Sequence, residues 1–267
     1  MSNAGVVPIS NWQLALTVIL VLISGGVAVW LRLGLLKPLL WGTVRTFVQL
    51  TLIGYVLTYI FAVNSPWLVL AMLLVMCLVA ARTAVQRTPN VFNYSYWLGF
   101  ASLAASTFLV GSIVVELIIS PVPWYSARIV IPIFGMILGN SMNGIALSLD
   151  RLYSEVRARA GEVETLLACG ATPWEAVRDC VQVAVRAGMT PTINSLMVVG
   201  IVSLPGMMTG QILGGADPLQ AVRYQIVVML MIAAAVAFGC LLLVLLSYRR
   251  MFNAAGALYE EVLRSTK

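Results

Sequence analysis

The sequence predicts an all-α, polytopic membrane protein of about seven transmembrane helices, with a cytoplasmic amphipathic helix–turn–helix between the fifth and the sixth. Three observations carry that expectation. The 267 residues are 61% apolar and only 10% charged, where a soluble domain carries about 25% charged residues. Apolar runs of roughly 20 residues recur along the chain, the length needed to cross a bilayer core as a helix. One long stretch, residues 150–188, breaks the pattern with charged residues at helical spacing. Residues 1–267 therefore form one membrane domain, and residues 150–188 are a segment within it.

The expected spans cover residues 12–33, 38–63, 67–81, 96–119, 129–149, 191–213 and 221–248. The third is short and continues helically towards Gln86. The N-terminal stretch lacks the basic region of a signal peptide, so the first span is expected to be retained. Lysine and arginine collect on the cytoplasmic side of membrane proteins. With the N-terminus outside, Arg32, Lys37, Arg82, Arg87, Arg151, Arg157, Arg159, Arg178, Arg186, Arg249, Arg250, Arg264 and Lys267 all fall inside. Only Arg128 and Arg223 fall outside, and Arg45 lies within a span. An odd number of spans, with the C-terminus in the cytoplasm, fits this partition. It also accounts for the net charge of +6 without a nucleic-acid partner. Trp12, Tyr59, Trp67, Trp124 and Tyr125 then mark an outer aromatic belt, and Trp30, Trp41, Tyr94, Tyr96, Trp97 and Tyr248 an inner one.

Polar groups inside the spans mark a pathway, or glue between helices. In the second span Arg45 lies about 10 Å deep by helical rise, with Gln49 one turn further along the same face. It either faces a path or snorkels to the inner headgroups. Glu116 and Arg128 suit an ion pair at the outer rim. Asn140 and Asn143 share a face of the fifth span with Met136 and Leu147. Gly135 and Gly139 there, and Gly206, Gly210 and Gly214 in the sixth span, have the four-residue spacing that lets helices approach closely. The sixth span also carries Ser203-Leu204-Pro205-Gly206-Met207-Met208. Proline removes a helix hydrogen bond and clashes with the preceding turn, so a kink or break is expected at membrane depth. Such breaks line cavities and often form substrate sites. Met207 and Met208 add soft thioethers, suited to soft metal ions and equally to packing.

In the polar stretch Leu149, Leu152, Val156, Ala160, Val163 and Leu167 form one stripe of an amphipathic helix. Gly170 is placed to end it as a left-handed cap. Thr172-Pro173-Trp174-Glu175 supplies an N-cap, a proline at the first helical position and a capping-box glutamate. A second amphipathic helix follows. Thr190-Pro191 repeats the cap-plus-proline signal where the chain returns to the membrane. The pair either lies flat on the inner leaflet or docks a soluble partner through its turn.

The chain has no histidine, and its four cysteines lack metal or redox spacing. No nucleophile–base pair stands at a readable spacing, which argues against an intramembrane enzyme. Deep titratable relays or inverted repeats would mark a secondary transporter, and neither is evident.

Several blocks carry a family resemblance. They are Val130-Ile131-Pro132-Ile133 with Gly135-Met136-Ile137, Gly139-Asn140 and Met142, then Leu167 with Gly170-Ala171-Thr172-Pro173. The longest runs from Val199-Gly200 through Val202-Ser203-Leu204-Pro205-Gly206-Met207-Met208 to Gly210 and Ile212, and Gly215, Asp217-Pro218, Ala221 and Tyr224-Gln225-Ile226 follow. Together they resemble the FetB family of ABC-transporter permeases, the bacterial iron-export and plant aluminium-tolerance group. The resemblance implies a homodimeric membrane subunit that works with a separate ATP-binding subunit. It implies no cofactor on this chain and ATP used by the partner. Consistent with that, no GxxxxGK[ST] phosphate loop is present. A weaker similarity links the turn to the EAA loop of ABC importers, with Glu164 ahead of Gly170, although the alanines after the glutamate and the later Leu-Pro are absent. The candidate coupling residues are thus Glu164, Gly170, Ala171, Thr172, Pro173 and Trp174. The candidate substrate path takes in Arg45, Gln49, Asn140, Asn143, Ser203, Pro205, Met207, Met208 and Gln211. Iron is the cargo the family suggests first, with a nucleotide-sugar such as UDP-glucose as the alternative cargo and an ATP-independent secondary transporter as the alternative mechanism.

Overall fold

The computed structural model describes residues 9–86, 95–253 and 256–259. Tyr94, Arg87, Arg264 and Lys267, which the orientation argument used, lie outside them. The described residues are mostly helical: α1 (Asn11–Trp30), α2 (Leu36–Val63), α3 (Pro66–Gln86), α4 (Ser95–Ile113), α5 (Ala127–Ala158), α6 (Ala160–Ala168), α7 (Pro173–Val198), α8 (Gly206–Leu213) and α9 (Pro218–Arg249). A π-helical turn, Val114–Ile119, extends α4. Six helices among the described residues are long and apolar enough to cross a membrane: α1, α2, α3, α4 with its extension, α5 and α9. The protein is a polytopic all-α membrane protein.

Local signals set many of the helix ends. Ser10 caps α1, its Oγ accepting from the Gln13 N–H while Gln13 Oε1 accepts from the Ser10 N–H. Asn64 ends α2 in the left-handed conformation, φ 43°, which asparagine tolerates better than most residues. Its Oδ1 then accepts from the Ala127 N–H at 3.2 Å, tying the end of α2 to the start of α5. Pro66 opens α3 where its missing N–H has no intrahelical use, and α3 continues to Gln86 as expected.

Two boundaries differ from the sequence expectation. The fifth span does not end at Leu149, because α5 runs unbroken to Ala158. No residue between Ser148 and Ala158 interrupts a helix; only the polarity changes there. The first amphipathic helix is therefore the projecting end of α5 plus the short α6, with a kink at Arg159. The second correction concerns Thr190-Pro191, which starts nothing. α7 passes straight through Pro191. The Thr190 hydroxyl donates to the Arg186 carbonyl and the Ser195 hydroxyl to the Pro191 carbonyl. The sixth crossing is thus composite, made of the end of α7, a break at 199–205 and α8, and neither helix alone is both long and apolar enough to cross a membrane.

The amphipathic stripe packs as its spacing demands. Leu149, Leu152, Val156 and Val163 are buried with Val177, Val181, Leu243, Val244, Met251 and Phe252 in a cluster at the α6 end of the bundle. A second cluster at the opposite end joins Val69, Leu73, Val130, Phe134, Ile137, Met231 and Ala235. Glu155, buried at the α6 end, is held by Arg151 at 2.6 Å and Arg159 at 3.3 Å. Pairing of this kind is what makes a buried carboxylate tolerable. The α1–α2 hairpin stands apart. Ile60 is the only buried residue of α2, and the hairpin meets the bundle through Leu57, Ile60 and Phe61.

Candidate functional site

The helices α5, α7 and α9 meet most closely at two glycines. A Cβ on Gly188 would lie 2.6 Å from the Gly144 carbonyl oxygen and 2.9 Å from Cys240 Sγ, and would overlap Ser148 Oγ. A Cβ on Gly144 would lie 2.6 Å from Val236 Cγ1. Nothing larger than glycine fits at this crossing without movement.

The seam opens above the crossing, away from α6. Asn140, Asn143, Thr192, Ser195, Met229 and Ile232 surround a pocket of about 150 Å³, with Gly144, Gly188 and Pro191 at its base. Further along, a pocket of about 330 Å³ is lined by Leu196, Gly200, Leu204, Met208, Gln225 and Met229, among others. Met229 lines both, so one side chain separates a polar chamber from an apolar one. The second chamber holds one deeply buried amide: Gln225 is 5% exposed, and its Oε1 has no hydrogen-bond partner. An unpaired buried acceptor costs about 1–3 kcal/mol, so its retention in a membrane core points to a use.

The break next to these chambers has a defined conformation. Val199 and Ser203 pair as an isolated bridge, the Gly200 N–H donates to the Ser203 carbonyl at 2.9 Å, and Gly200 sits at φ 85°, a backbone region that glycine enters without a steric penalty. Pro205 is the N-cap residue of α8.

The expected path residues fall into two groups. Asn140, Asn143, Ser203, Pro205, Met207, Met208 and Gln211 gather along the seam or at the break. The Asn140 amide donates to the Met136 carbonyl at 2.8 Å, which leaves its own carbonyl oxygen for a solute. Met207 packs on the cluster away from α6 and Met208 lines the apolar chamber. Gln211 Oε1 is buried and unpaired. Arg45 and Gln49 do not join them. They pair with each other, Gln49 Oε1 accepting from Arg45 Nε at 2.9 Å once the amide is turned to face the guanidinium, and both are exposed on α2. Arg45 lies about 22 Å along the helix from Ile60, where α2 meets the bundle. Sequence gave its depth but not the direction in which its helix faces.

Met229, Thr192 and Ser195 were not singled out from sequence, and Gln225 entered only through the family resemblance. Gln225, Met229 and Ile232 share a face of α9 by i, i+4, i+7 spacing, a signal that was present. Thr192 and Ser195 lie within the expected sixth span, and only packing shows that they face the pocket between α5 and α9. Among the described residues no group of three or more histidine, cysteine, aspartate or glutamate side chains could hold a metal ion, so any cation in the seam meets neutral oxygen and thioether ligands only.

Residues 11–252 match the family described as "Uncharacterised protein family (UPF0014)". The chain belongs to the UPF0014 family. It is 41% identical to the "UPF0014 membrane protein YjkA" of Bacillus subtilis, covering 90% of this chain and 95% of that one. It is 36% identical to the "Probable iron export permease protein FetB" of Escherichia coli, covering 92% and 93%. It is 37% identical to the "Protein ALUMINUM SENSITIVE 3" of Arabidopsis thaliana, covering 88% and 84%. No solved structure matches it.

The α6–α7 turn of this UPF0014 chain has the capping geometry its sequence predicts. Gly170 is left-handed at φ 91°, and the N–H groups of Gly170 and Ala171 return to the carbonyls of Leu167 and Leu166. Thr172 caps α7, and Pro173 occupies the first turn. Glu175 Oε2 accepts from the Thr172 N–H at 2.8 Å and from its hydroxyl at 2.7 Å, which holds the carboxyl below the usual glutamate value. Glu164, Gly170, Thr172 and Trp174 are exposed; Ala171 and Pro173 are half-buried. Trp174 is less free than a wholly partner-facing residue, because its ring rests on Tyr248 of α9, centroids 5.3 Å apart.

Proposed function

We propose that this chain is the membrane permease subunit of an ABC transporter, exporting a metal ion, iron first, with ATP hydrolysed by a separate ATP-binding subunit. On this reading the α6–α7 turn faces the cytoplasm, receives that subunit at Gly170–Trp174, and two permease copies work together. One structural observation supports it above the rest: α7 runs without interruption from the turn to the chambers, so force applied at one end reaches the other through a single continuous helix. The E. coli relative, a probable iron export permease by name, suggests the cargo.

The chemistry of the seam suits transit rather than storage. Asparagine carbonyls and methionine thioethers carry no formal charge, so a divalent ion would keep much of its hydration shell and be held weakly enough to leave. Closure of the ATP-binding subunits would tilt α5 and α7 and expose the polar chamber at Asn140 and Asn143 alternately to the two sides.

The test is iron efflux from preloaded cells with permease and ATP-binding subunit present together or singly, alongside Gly170→Trp. Efflux should need both proteins, and the variant should lose both efflux and co-purification of the ATP-binding subunit. Efflux from proteoliposomes holding the permease alone, without ATP, would make it a secondary transporter instead.

A further inference from the structure

The 199–205 break lies open on the outside of a single chain. Ile201 is 90% and Val202 78% exposed. Its depth follows from its neighbours. Val69 and Leu73 of α3 pack with Val130 and Phe134 of α5, so α3, whose 21 residues span about 32 Å, about the thickness of a bilayer core, begins level with α5. Asn140 and Asn143 share a pocket with Met229 and Ile232, so α9 starts at that level too. Gly200 lines a pocket with Val222, Gln225 and Ile226, which puts the break roughly 10 Å inside the slab.

Irregular backbone at that depth does not face lipid, because its polar groups would go unbonded there; it is covered by protein or lines water. Here the Gly200 and Ile201 carbonyls accept no backbone hydrogen bond among the described residues. The apolar side chains around them speak against a water-filled cavity. α8 has the same unfinished character. It has no buried residue, and a Cβ on Gly206 or Gly210 would meet nothing within 4 Å, an open small-residue face of the kind on which membrane helices pack. Beside it the buried Gln225 Oε1 waits for a donor.

We infer that this surface is the homodimer interface: a second copy of this chain lies across the break and α8, related by a two-fold axis. The surface is self-complementary, as a two-fold interface must be. It presents an apolar tip, Ile201-Val202, and next to it the apolar chamber of about 330 Å³ that such a tip fits. Each copy's break is thereby covered by the other. The inference takes from the permease reading only that two copies work together; the location is set by the break.

The test is photo-crosslinking of the full chain in native membranes, with benzoylphenylalanine placed singly at Val202, at Leu213 on α8, and at Val75 on the exposed face of α3 as control. Val202 or Leu213 should give a permease–permease product and Val75 none. Gly210→Leu should leave the protomer folded, as judged by its melting in detergent, yet abolish that product and reduce the copies per complex from two to one. Products with lipid alone or with another protein at both positions, or a dimer untouched by Gly210→Leu, would overturn the interface. Efflux is not among these readouts. A product at Val202 without iron export refutes only the permease reading, and export with copies joined elsewhere refutes only the interface.

Discussion

Gly188 and Gly210 belong to the same composite crossing, yet their surroundings are opposite. At Gly188 the missing side chain is replaced by three neighbours from α5 and α9; at Gly210 there is nothing within 4 Å. From sequence both are small residues in apolar helices, and packing alone separates them. The closed glycine fixes how α5, α7 and α9 cross and belongs to the fold of one chain. The open one leaves a helix face without a neighbour and acquires its reason only in an assembly.

The contrast can be broken most severely at the closed site. Gly188→Val forces a side chain against Ser148 Oγ and the Gly144 backbone, and overpacking of a filled crossing costs about 3 kcal/mol or more. Loss of folded protein from membranes, read by fluorescence-detected size exclusion, is the expected result. Gln225→Leu acts in the chamber between the two regions and in the opposite direction. Removing an unpaired buried amide should raise the stability of the detergent-solubilised protomer by about 1 kcal/mol while reducing export. A higher melting temperature with full export would return Gln225 to a packing role.

The smallest effects belong to the turn. Thr172→Ala removes the cap of α7 and should lower stability by about 1 kcal/mol, visible as faster amide exchange over the first turn of α7. The Glu175 carboxyl titrates below its ordinary value because it accepts two hydrogen bonds from Thr172. Its contribution is therefore complete above the ordinary glutamate range and fades as pH falls through the lowered value. The protection factor of the Thr172 amide, its exchange rate divided into the intrinsic rate at each pH, should fall on acidification in the native chain and stay flat in Glu175→Gln.

Much of this architecture was legible in the residues. The apolar runs gave the spans, and Gly170 and Thr172–Glu175 gave both sides of the turn. The stripe from Leu149 to Leu167 gave the buried face. What failed did so because a chemical boundary was taken for a conformational one. Polarity changes at Leu149 without any residue that stops a helix, so α5 continues. Thr190-Pro191 looks like a start, but α5 and α9 hold α7 straight and its hydroxyls occupy carbonyls in the adjoining turns. The seam was legible where depth and spacing sufficed, as for Asn140, Asn143 and Met208, which line its pockets. It was not legible for Arg45 and Gln49, because the orientation of α2 depends on neighbours far away in sequence.

The continuity of α7 has a mechanical corollary. With the helix pinned at Gly188, the turn lies about 22 Å to one side and the break about 15 Å to the other by helical rise. The helix is then a lever whose fulcrum is the glycine crossing. Pushing the turn by 3 Å, on the order of a small helix shift, swings the break by about 2 Å the opposite way.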